Sequence, residues 1–167
     1  QSPPFDVHLE QGLAAAAGRR LYAGLWDGWQ WSPYRDQVLA GGAFKGRALS
    51  MVPIGELTSE LKKWGIRHLL VWSDAAQVYF RQAPSLFTER WTAGAWHDFE
   101  YLDADTRAAT STEGTATLAA FDPLGARVHL QDVRARSLIV VRTNYHPSWT
   151  AAVAGTNARL QLFNQNG

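Results

Sequence analysis

PIGELTSELKKWGIRHLLVWSDAAQVYFRQAP, residues 53–84, decides the fold class of this chain. Its first part follows a helical period, with Leu57, Leu61 and Trp64 on one face and Glu56, Glu60, Lys62 and Lys63 mostly off it. Pro53 stands near the start and Gly65 at the stop. IRHLLVW is then short and nearly continuous in apolar residues, as expected of a strand covered on both faces. Ser73 or Asp74 can cap a second helix, and Pro84 follows just beyond its end. Helix, strand and helix across 54–83 predict a small α/β layer.

Beyond about Phe87 the pattern changes. FTERWT, WHDFEYL, TATLAAF, ARVHLQDV, SLIVVRTN, WTAAVA and ARLQLF are short runs of β-formers, separated by turn signals such as DPLG at 122–125 and AGTN at 154–157. In ARVHLQDV, Ala126, Val128 and Leu130 alternate with Arg127, His129 and Gln131, predicting one dry and one wet face. Most of 115–163 is therefore expected to pair as antiparallel strands. The predicted fold is α+β, a small α/β layer followed by an antiparallel β-sandwich. Residues 1–100 form the α/β part with a Trp-rich loop, and 101–167 the sandwich. Upstream, LEQGLAAAA at 9–17 reads as a short helix ended by Gly18, RRLYAGL as a strand, and 26–46 as an ordered loop.

Composition narrows the function classes. The 167 residues carry a formal net charge of +1 and no Lys/Arg run, so no nucleic acid partner is expected. The chain has no cysteine and hence no disulfide, which leaves the compartment open. The longest apolar run falls far short of the roughly 20 residues of a spanning helix. The start, QSPPFD, lacks a methionine and the layout of a signal peptide, so the chain reads as a piece of a longer protein.

The usual chemical motifs are weak here. His8, His68, His97, His129 and His146 are dispersed with no HxH or HxxxH pair, so no metal site is expected. His97 and Asp98 adjoin, but alternation along a strand puts them on opposite faces. DADT at 103–106 lacks the glycine and distal glutamate of a calcium loop and reads as a solvated turn. AGGAFKGR is not GxxxxGK[ST], and no cofactor is expected.

Two stretches remain. In NYHPSWTAAVAG, 144–155, no Ser, Cys or carboxylate stands at a diagnostic spacing from His146, which disfavours catalysis. Tyr145, Pro147 and Trp149 read instead as a structural corner, because Pro147 fixes its own φ and the two rings can close over the core. In WDGWQWSPYRD, Trp26, Asp27, Trp29, Trp31, Tyr34, Arg35 and Asp36 could form a glycan platform, since rings stack on pyranoses and charged groups bond hydroxyls. The alternative is that these tryptophans cap the core where the two parts meet.

SLIVVRTNYHPSWTAAVAGTNARL, through Val140, Val141, Tyr145, Pro147, Trp149 and Gly155, resembles a signature near the C-terminus of bacterial multi-pass membrane proteins of the YfhO-like and GT-C glycosyltransferase-like families. ELKKWGIRHLLVWSDAA and FEYLDAD are similar to upstream segments of the same proteins, so the resemblance spans about residues 55–160. Ser148 departs from it, standing where the pattern prefers glycine. The resemblance implies a domain on the extracytoplasmic side of a bacterial cytoplasmic membrane, attached to the transmembrane part of its parent and linked to envelope glycan or polysaccharide assembly. It further implies a binding or scaffolding role toward a glycan or lipid-linked sugar, with the catalytic acid elsewhere in a GT-C-type parent. The competing class is an independent carbohydrate-active enzyme using Asp27, Arg35 and Asp36.

Overall fold

The computed structural model of the chain describes residues 42–122, 125–143, 148–156 and 158–163. Among the described residues a tight hairpin comes first, β1 (Ala43–Phe44) and β2 (Arg47–Ala48), at the end of the stretch expected as loop. Its two-residue turn holds Lys45 at φ 51° and Gly46 at φ 73°, the left-handed pair that matches strand twist, so Lys-Gly does here what Asn-Gly usually does.

Helix α1 (Ile54–Trp64) buries Leu57 and Leu61, the face expected from their spacing. Gly65 ends it at φ 68°, with its N–H bonded to Lys62 O and that of Ile66 to Leu61 O. Strand β3 (His68–Val71) leads to α2 (Asp74–Arg81), whose Ser73 cap accepts from the Ala76 N–H at 3.3 Å. Strands β4 (Phe87–Ala93) and β5 (Trp96–Tyr101) complete an antiparallel sheet in the order β3-β5-β4.

The core lies between this sheet and both helices. Leu69, Val71, Phe87, Phe99 and Tyr101 from the sheet pack with Leu57, Leu61, Ala76 and Phe80 in one buried cluster. Phe80 stands at its centre, 4.9 Å from Phe87 and 5.4 Å from Phe99 between ring centroids. All the buried sheet residues share one face. Strand β3 is therefore not covered on both sides, contrary to the expectation from IRHLLVW: His68 and Leu70 are exposed, only Leu69 and Val71 are buried, and among the described residues β3 pairs with β5 alone. An apolar run gives no sign of strand order, and an antiparallel sheet can be covered on one side only.

The second half is antiparallel throughout the described residues, in a β-sandwich-like arrangement, so the α+β architecture is as predicted. β6 (Ala109–Ser111) pairs with β9 (Ile139–Val141), and β7 (Thr115–Asp122) forms a hairpin with β8 (Gly125–Gln131) closed by the pair Asp122 and Gly125. Two short strands, β10 (Ala151–Ala152) and β11 (Arg159–Leu160), pair last. The expected dry face of β8 is only partly dry: Val128 is half-buried and Leu130 exposed. Alternation fixes which side a residue faces, whereas covering that side takes a second layer.

Arg142, just past β9, fastens this half to the first. Its guanidinium donates to the Lys62 and Lys63 carbonyls at 3.1 and 3.0 Å, to Asp105 at 3.2 Å, and to the Arg107 carbonyl. Asp105 also receives two bonds from the Arg107 side chain at 2.9 Å. The Arg107 bonds, with Arg142 behind them, hold the Asp105 carboxyl well below the usual range. DADT is thus a charged clasp as well as a turn.

Candidate functional site

The uncovered face of the β3-β5-β4 sheet gathers the most chemistry among the described residues. Register places His68, Glu100 and Thr88 in one cross-strand row and Leu70, Asp98 and Trp91 in the next. Trp96 follows on the same side, its ring 5.2 Å from Trp72 in an edge-to-face contact. Trp91 is 53% exposed.

A β-bulge puts Trp91 there. Glu89 pairs with Phe99 but Trp91 pairs with Asp98, so the bulge at Arg90 carries positions 89 and 91 to opposite faces. Regular alternation would have turned Trp91 toward the helices. The bulged Arg90 bonds Glu100 across the sheet at 2.6 Å.

The polar groups of this face hold one another in place. His68 Nδ1 lies 3.0 and 3.2 Å from the two Asp98 oxygens, within reach to donate to that carboxylate. Asp98 is only 15% exposed at its side chain, against 54% for His68, so the imidazole shields the carboxylate it orients. Arg90, with lesser help from Arg67 at 3.9 Å, keeps Glu100 ionised below its ordinary range. A partly open indole beside an oriented carboxylate and imidazole can stack an apolar ring face and bond its hydroxyls.

The other side of β5 carries a different cluster, at the rim of the core. His97 Nδ1 is 2.6 Å from Glu89, and Arg81 of α2 donates to the same carboxylate through Nε and Nη2 at 2.9 and 3.0 Å. His97 and Asp98 do face opposite ways, as alternation requires. Arg81 first, then His97, lowers Glu89 from 4.5 to about 2. A depressed carboxylate stabilises the fold above its unfolded value and loses that contribution as pH falls from about 4.3 through about 2. Urea midpoints between pH 5 and pH 2 should fall more steeply for the native chain than for Glu89→Gln. Parallel profiles would show that Glu89 contributes nothing to acid stability.

Trp26, Asp27, Trp29, Trp31, Tyr34, Arg35 and Asp36 lie outside the described residues, as do Tyr145, His146, Pro147 and the expected elements before residue 42. Trp149 is half-buried. Among the described residues no group of three or more His, Cys, Asp or Glu could hold a metal, and no helix is long and apolar enough to cross a membrane. Sequence reading does not assemble His68, Trp91 and Asp98, which lie on three strands. The one available signal is the alternation of WHDFEY, which sets Trp96, Asp98 and Glu100 on a common side.

Among the described residues, fold and face together define an α+β arrangement with one sheet surface open and furnished with aromatic and charged groups. No family model, curated protein or solved structure matches the chain.

Proposed function

We propose that this chain is a glycan-binding or scaffolding domain, held on the extracytoplasmic side of a bacterial cytoplasmic membrane as part of a polytopic protein of envelope glycan or polysaccharide assembly. The observation that carries the binding role is the open sheet face, where Trp91 stands beside the His68–Asp98 pair. The location and the membrane-bound parent rest on the sequence resemblance across about residues 55–160. In this reading the partners are the transmembrane part of the parent and a glycan or lipid-linked sugar, and the domain positions the sugar while the chemistry happens elsewhere in the parent.

The chain has no cysteine of its own, so a single one introduced into it, in a parent with any other cysteines replaced, tests location. Ser50 is exposed, and Ser50→Cys in the parent protein should react with a membrane-impermeant maleimide on intact spheroplasts. Labelling only after lysis would refute the extracytoplasmic placement. The binding role has its own measurement: the 167-residue chain should be retarded in native gels containing envelope polysaccharide. Unchanged mobility across such polysaccharides would count against it.

A further inference from the structure

Resting on that binding role, we infer that the open sheet face takes an uncharged oligosaccharide, with one pyranose stacked on Trp91 and its hydroxyls bonded by Asp98 and His68. Trp91 supplies an exposed indole with no acidic or basic group of its own, suited to the C–H face of a sugar ring. Asp98 and Trp91 are direct cross-strand partners, so the carboxylate sits at the edge of whatever lies on the indole. The His68 bond uses only part of the acceptor capacity of that carboxylate, and lone pairs remain for ligand hydroxyls. The Trp72–Trp96 pair lies one step further along the same side, at a strand rise of about 3.3 Å per residue. A second sugar unit can therefore reach it.

The charges of the face give an anionic ligand no advantage. Arg90 and Arg67 both pair with Glu100, and Asp98 pairs with His68. The two carboxylates, Asp98 and Glu100, offset the two guanidiniums, so the face offers a uronate or phosphate no net positive field. Neutral hydroxyls can join these pairs without breaking them.

Tryptophan fluorescence titration of the 167-residue chain tests this, using neutral hexasaccharides of glucose, mannose and N-acetylglucosamine beside hexagalacturonate. At least one neutral series should bind more tightly than hexagalacturonate. Trp91→Ala should then weaken it about tenfold or more, and Asp98→Asn by about fivefold, the scale of one stacking contact and one charge-assisted bond. Near-UV circular dichroism establishes that both variants keep the native fold. Tighter binding of hexagalacturonate would overturn the uncharged ligand while the binding role stands. Neutral binding indifferent to both substitutions would move the site elsewhere. Binding of none of these sugars would overturn the inference, and if native gels with envelope polysaccharide also showed no retardation, the binding role would fall with it.

Discussion

Phe80→Ala is expected to cost about 3–5 kcal/mol, the range for deleting a fully enclosed aromatic side chain. Phe80 is fully buried and touches three other rings: Tyr79 at 5.4 Å, Phe87 at 4.9 Å and Phe99 at 5.4 Å. It is the point where α2 meets the centre of the sheet, so truncation opens a cavity that strands β4 and β5, locked by their pairing, cannot fill. Val78 lies two residues earlier on the same helix and is exposed. Val78→Ala should leave stability within about 0.5 kcal/mol, because the lost contact is offset by the better helix propensity of alanine. Urea denaturation of both variants separates the two sides of α2. Equal losses would mean that the helix does not pack as described.

Arg142→Met should cost about 2–4 kcal/mol, through the loss of charged hydrogen bonds from a mostly enclosed group. Methionine keeps the stem but removes every donor. The guanidinium, only 13% exposed, caps the carbonyl end of α1 and holds Asp105 and the Arg107 carbonyl at the same time. Its removal leaves carbonyls without their charged donor where the helix dipole is negative. Gly65 belongs to the same arrangement, since a Cβ there would come within 3.1 Å of the Arg142 side chain. Arg142→Lys should recover only part of the loss, because one ammonium cannot reach partners spread around a planar fork. A loss under about 1 kcal/mol for Arg142→Met would show that the two halves are joined by other means.

The elements that were legible in the sequence are those whose signal is local. The apolar spacing of Leu57 and Leu61, the Gly65 stop and the Ser73 cap are each settled within a few residues, and the helices form where they predict. The strands after Phe87 were legible for the same reason, since β-forming runs alternate with turns. The hairpin at Ala43–Ala48 escaped because Lys45 is an unusual residue at positive φ. β6, only Ala109–Ser111, is too short to carry a period. Arg142 escaped because its partners lie 35 to 80 residues away in the chain.

By itself, then, the sequence determined the α+β class, helices α1 and α2, the buried face of α1, and the antiparallel character of the second half. These depend on periodicity and capping, which act over one or two turns of chain. Tertiary structure alone decided that β5 lies between β3 and β4, that His68 reaches Asp98 across thirty residues, and that Trp91 stands on the face away from the helices. Strand order and register come from pairing between distant segments. The bulge at Arg90 is a property of that pairing: one extra residue on β4 reverses the side of everything beyond it, and alternation read along β4 alone places Trp91 on the wrong face.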